Sequence, residues 1–179
     1  MNRFTGTSLP TRILKRRFQA IARKKPASKQ EAGTRWNVHK APLFRGDQKN
    51  GVQVPVPNAN ESIVRHVLYL DGMGRDTPYL STSESESAAR YFAGSVGRVW
   101  KILVQNAKNK GVGHISMSEL LTMLRGKGKG PARWPNAVEL MTARKYVEQW
   151  SEHLLDFRTH KKLSKEQFEK LVRGLFEVM

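Results

Sequence analysis

The chain contains no cysteine. That excludes disulfides, thiolate metal sites and a cysteine nucleophile, so the fold must hold by packing alone, as suits a reducing cytosol. Long apolar runs are also missing. Hydrophobic residues make up 39 % of the chain, but none of their runs approaches the roughly 20 residues that a membrane-spanning helix needs. The N-terminal stretch MNRFTGTSLPTRILKRR is basic without an apolar h-region, so no secretory signal peptide is expected. There is no internal repeat and no heptad series. Acidic residues are scarce: 15 Asp+Glu stand against 32 Lys+Arg, a net charge of +17. A domain of this size carries far less as a rule, and such a field draws in polyanions. Nucleic acid is therefore the favoured partner. An anionic membrane surface and an acidic protein remain alternatives.

With 179 residues the chain is long enough for one domain with a real core. Residues 1–35 read as a basic arm. Within it, Thr11 to Lys25 carries Leu14, Phe18, Ile21 and Ala22 at helical spacing with Arg and Lys on the other faces, and Pro26 ends the helix. Residues 36–179 read as the globular body.

In that body KAPLFRG, YLSTS, RVWKILVQ, AVELMT and SEHLLDFR read as strands. Ile63, Val64, Val67 and Leu68 form one helix face, with His66 on the exposed side. Ser83 with Glu86, Ser116 with Glu119 and Ser164 with Gln167 have the spacing of capping boxes at three further helix starts. Strands and helices mix without regular β-α alternation, which points to an α+β fold.

Three short motifs carry the chemistry. Arg45 ends an apolar strand, and its fork of donors suits phosphate oxygens. Gly46 after it lets a ligand approach the backbone. In the YLSTS strand, Ser81 and Ser83 face one side and Thr82 the other, so two hydroxyls can hold a ribose or orient a carboxylate. Glu139 sits between Val138 and Leu140-Met141, and a carboxylate in an apolar strand is costly unless paired or functional. A fourth stretch, Arg125 to Trp134, is a glycine-rich basic loop. It is not a phosphate-binding P-loop, because its Gly-Lys pairs lack a following Ser or Thr. Lys127, Lys129 and Arg133 suit phosphate contacts, and Trp134 suits stacking on a base. The five histidines show no ligand spacing, so no metal is expected.

Together, LFRGD, YLSTSESESAARYFAG and NAVELMTARKYV resemble, in order, the motifs of the bacterial mono-ADP-ribosyltransferase toxins of the Arg-Ser-Glu class, the cholera, heat-labile enterotoxin and pertussis group. The resemblance covers roughly residues 41 to 158. It implies a split, mixed or antiparallel β core flanked by helices, with NAD as a substrate. It makes Arg45, Ser81 and Glu139 the catalytic set. Arg45 would hold the NAD phosphates and ribose, Ser81 would hold Glu139, and Glu139 would stabilise the oxocarbenium ion formed as nicotinamide leaves. Gly46, Tyr79, Thr82, Ser83 and Phe92 would complete the cofactor site.

In this family the residue two before the glutamate helps select the acceptor, and arginine-modifying members carry Glu there. Ala137 occupies that position, which argues against an arginine acceptor. The expectation is a toxin or effector that transfers ADP-ribose from NAD to nucleic acid, RNA above all. It would act in a bacterial cytoplasm, after delivery into a target cell or without it, and an acidic immunity protein would be a natural partner. Modification of a protein side chain other than arginine, or a non-catalytic basic nucleic-acid-binding module, stay open as alternatives.

Overall fold

A computed structural model describes residues 39–48, 51–72 and 74–179. The helix expected in the basic arm lies outside the described residues. The first strand, β1, is Leu43–Asp47. Helix α1, Ile63–Leu68, starts where the Ser62 hydroxyl accepts from the Arg65 N–H. The YLSTS segment is β2, Tyr79–Ser83. Helix α2, Glu86–Ala93, is capped by Ser85, whose hydroxyl accepts from the Ala88 N–H. The cap expected at Ser83 is therefore displaced by two residues. Ser83 is still in the strand, and its hydroxyl is held there by the Trp150 carbonyl, to which it donates at 2.6 Å.

Strand β3, Arg98–Ile102, leads directly into α3, Val104–Asn109. A short β4, Gly113–Ile115, precedes α4, Met117–Met123, which has the expected capping box of Ser116 and Glu119. A 3-10 turn at Gly130–Ala132 leads into α5, Ala137–Trp150. Then come β5, Glu152–Asp156, a second 3-10 turn at Arg158–His160, α6, Lys165–Arg173, and β6, Glu177–Val178. Helix α6 carries the expected capping box of Ser164 and Gln167.

The AVELMT segment is thus not a strand but the first turns of α5. The Asn136 side chain accepts from the Val138 and Glu139 N–H groups, which is a helix start. Leu140, Ala143 and Val147 are the buried residues, at helical and not alternate spacing. Val138 and Met141, which gave the segment its β appearance, are each 70 % exposed.

The six strands form one open sheet in the order β4-β5-β2-β1-β3-β6, and every pairing is antiparallel. The α+β class is therefore observed as a mixed fold on an antiparallel sheet. Its centre is weak. β2 and β5 pair over five residues, as do β1 and β3, whereas β1 and β2 are joined only at Phe44 and Ser83. The two halves splay apart beyond that pair.

Side chains alternate across each strand. Leu43, Leu80, Ile102 and Leu155 pack on one face with Val104, Phe168 and Val172 from α3 and α6. Tyr79 and Leu154 pack on the opposite face with α1, α4 and α5. Phe44 and Val99 meet Ala89 and Ala93 of α2. Gly46 explains how close α2 comes: a Cβ there would stand 1.8 Å from the Ala89 carbonyl oxygen. This glycine is required first by helix packing, although it also borders the gap between the half-sheets. Among the described residues, no helix is long and apolar enough to cross a membrane.

Candidate functional site

The splay between β1 and β2 opens into a cavity of about 950 Å³, walled by both half-sheets, α1 and the loop that follows it. Arg45 and Ser81 both line it. Glu139 does not. It stands in the first turn of α5, where it accepts a hydrogen bond from the Trp134 indole and sits favourably at the positive end of the helix. Three carboxylates line the cavity instead: Asp47, which pairs with Arg45, Asp76, and the buried Glu152 at the start of β5.

Strand register puts Glu152 there. It pairs with Ser83, so the two share a face, and Ser81 is the diagonal neighbour on that same face. Glu152 is buried. Burial pushes its carboxyl up to about 7, while the hydrogen-bonding Ser81 hydroxyl and the Arg75 and Arg45 charges pull the other way. The signal for this residue was in the sequence. SEHLLDFR reads as a strand, and the argument that a carboxylate in an apolar strand needs a reason applies to it more strongly than to Glu139.

His66 joins the same group. The expectation that it faces solvent fails, because α1 turns this residue inward among Val64, Val67 and Tyr79. Its Nε2 is 2.8 Å from the Ser81 Oγ and its Nδ1 is 2.8 Å from the Thr77 Oγ1. Burial, with Arg75 and Arg45 nearby, holds its pKa well below the usual histidine value, so the ring is neutral at physiological pH. Thr77, His66 and Ser81 form a connected polar chain beside Glu152, and the imidazole fixes how the Ser81 hydroxyl is oriented.

Arg45 is more constrained than a free phosphate ligand. Its Nε and one terminal nitrogen donate to the two Asp47 carboxylate oxygens at 2.9 and 2.6 Å. The other terminal nitrogen donates to the Ser81 carbonyl at 2.9 Å. Arg45 thus bridges the two half-sheets where they splay. Arg75 is a second cation at the cavity wall. It lies over the Tyr69 ring and donates to the His66 carbonyl, and its Nε is buried with no partner among the described residues.

Phe92 lines the cavity beside Trp150, their rings edge to face at 5.0 Å. Tyr91, 70 % exposed, stacks on the other side of Trp150. Tyr79 is a core residue whose hydroxyl donates to the Glu61 carbonyl. The Thr82 hydroxyl turns to the opposite face and donates to the His153 carbonyl at 3.3 Å.

That opposite face gathers a group the sequence reading did not anticipate. His39, Glu84 and His153 offer ligand atoms that all lie within 4.8 Å of one another, an arrangement able to hold a metal ion. His114 joins it through His153. These histidines come from distant segments, so no local ligand spacing signals them.

The basic loop is an ordered turn. Gly128, at φ 75°, lets the chain fold under Ala132, and Trp134 N–H donates to the Lys127 carbonyl. Lys127, Lys129 and Arg133 are exposed. Trp134 is half-buried against the α1, α4 and α5 core. Its ring anchors the loop, and its indole N–H is taken by Glu139.

No protein-family model matches this chain, and neither a curated protein nor a solved structure is detectably similar to it.

Proposed function

We propose that this protein is an NAD-dependent mono-ADP-ribosyltransferase whose catalytic set is Arg45, Ser81 and Glu152, and that its acceptor is nucleic acid, most favourably RNA. One observation carries the reading: an arginine, a serine and a buried glutamate from three separate strands line one cavity in a split antiparallel sheet. The order of those residues along the chain is that of the Arg-Ser-Glu toxins. Glu152 takes the part first assigned to Glu139. At about 950 Å³ the cavity is at the upper end of the range for small-molecule sites, roughly 300–1,000 Å³, and is large enough for a dinucleotide.

In the proposed reaction the bond between nicotinamide nitrogen and ribose C1′ breaks, and nicotinamide leaves with the bonding pair. The resulting oxocarbenium ion lies against Glu152 in its ionised form, a negative charge facing a developing positive one. An acceptor oxygen or nitrogen then bonds to C1′ and gives up its proton to water. Ser81, oriented by His66, holds Glu152 in place. Arg45 holds the two half-sheets in register and presents its guanidinium at the cavity wall. Arg75, at the cavity wall, adds a second positive charge for the diphosphate. Phe92 and Trp150 provide aromatic surface for the nicotinamide. In the toxin family the residue two before the glutamate influences the acceptor, and that residue is now Trp150. It is not acidic, so an arginine acceptor stays disfavoured.

The nucleic-acid assignment rests on the net charge of +17 and the exposed lysines of the basic loop. The test is incubation with labelled NAD and total cell lysate, followed by nuclease or protease. Label released by nuclease supports the assignment. Label that resists nuclease and falls to protease moves the acceptor to a protein side chain. Label that never forms, with wild type and Glu152→Gln equally inert and equally able to bind RNA, leaves a non-catalytic basic module.

A further inference from the structure

We propose that His39, Glu84 and His153 bind one divalent metal ion of the zinc class on the sheet face opposite the cavity. The three residues come from the segment ahead of β1, the residue after β2 and the second position of β5. Two imidazole nitrogens and one carboxylate oxygen are the ligands such ions favour. Magnesium and calcium instead take oxygen shells.

The spacing agrees. Metal–ligand bonds of about 2.0–2.2 Å in a tetrahedron put neighbouring ligand atoms roughly 3.4 Å apart. His153 Nε2 is 2.9 Å from the Glu84 Oε1 and His39 Nδ1 is 3.8 Å from the same oxygen. A small closing movement of the His39 ring completes the set.

Two further observations favour a ligand over a simple ion pair. The pair of His153 and Glu84 leaves His39 only loosely engaged: its Nδ1 faces the same Glu84 oxygen at 3.8 Å, within ion-pair range but beyond that of a hydrogen bond. Its ring stands edge to face with that of His153 at 5.0 Å, in the place a second ligand would occupy. In addition, the His153 Nδ1 is 2.9 Å from the His114 Nε2. A ligating histidine is ordinarily fixed by such a bond from its other ring nitrogen. The His153 side chain is 2 % exposed and Glu84 47 %, so the solvent side of the set is open for a water as fourth ligand. Glu84 follows Ser83 and His153 follows Glu152, so the ion would fasten from behind the two strands that wall the cavity.

The test uses the untagged full chain, freed of metal with a chelator and titrated with zinc chloride by calorimetry. Cobalt(II) absorption serves as a second readout of tetrahedral nitrogen and oxygen ligation. One equivalent should bind and raise the thermal midpoint. His39→Ala and Glu84→Gln change exposed or half-exposed positions and should keep the wild-type circular dichroism. Each should weaken binding by at least about tenfold. His160→Ala, outside the cluster, should bind as wild type does. Absence of saturable binding by the wild type, binding unchanged in either ligand variant, or loss of binding in His160→Ala would overturn the proposal.

Discussion

At the scale of the residue, Glu139 and Glu152 illustrate how context assigns a carboxylate. Glu139 follows Val138 and precedes Leu140-Met141, whereas Glu152 follows Ser151 and precedes His153-Leu154-Leu155. Glu139 is half-exposed, caps the charge of a helix start and holds an indole. Glu152 is buried beside a serine and two arginines. Glu152→Gln keeps the shape and removes the charge, so transfer of labelled ADP-ribose should fall on the order of 10²–10³-fold. Glu139→Ala should leave transfer near wild type and cost about 0.5–1.5 kcal/mol in urea unfolding, from the lost hydrogen bond and helix-terminal charge. The opposite pattern would return the catalytic part to Glu139.

His66 gives a second residue-scale test. Its folded-state pKa is depressed by burial, so the unfolded chain binds the proton more readily. Its contribution to stability is complete above the unfolded value of about 6.5 and is lost as the pH falls below it. His66→Gln should therefore have a flatter stability profile between about pH 7 and pH 5 than the wild type, measured by urea unfolding at a series of pH values. A variant profile parallel to that of the wild type would mean the imidazole already titrates normally in the fold.

At the scale of the element, the close packing of α2 on β1 is set by the absence of a side chain. Gly46→Ala would place a methyl against the Ala89 carbonyl and the Ala93 amide, both backbone atoms that cannot rotate away. A loss of about 1–3 kcal/mol or more is expected in denaturant unfolding. Unchanged stability would mean that α2 can slide without cost.

Elements with local signals were legible in advance. The YLSTS strand, α1, and the capping boxes of α4 and α6 follow from adjacent residues. Helix α5 was misread because a Val-Glu-Leu-Met run fits both periods over so short a window. Its cap at Asn136 and the buried Ala143 and Val147 further on decide for helix. Short β4 and α3 have too few residues for any period to show.

At the scale of the whole molecule, charge and topology act together. Helix α5 spans roughly 21 Å, so its ends separate the basic loop from the strand that begins with Glu152. An acceptor engaging both would reach across that length. Lys127→Ala with Lys129→Ala should weaken RNA binding and reduce the slope of log affinity against log salt by about one unit per lost phosphate contact, as read by fluorescence anisotropy over a salt series. An unchanged slope would exclude the loop from the interface.

The charge excess, the lack of thiols, the Arg45 and Ser81 positions and the antiparallel-leaning mixture of strands and helices are properties of composition and near neighbours, and they can be read from a single line of residues. The choice between two glutamates, the inward turn of His66, the cavity and the grouping of His39, Glu84 and His153 belong to the fold. They arise because strand register pairs residues dozens of positions apart, and because β1 and β2 touch at one pair and then diverge. No local pattern encodes a distance between segments. Burial and packing set it only once the whole sheet has closed.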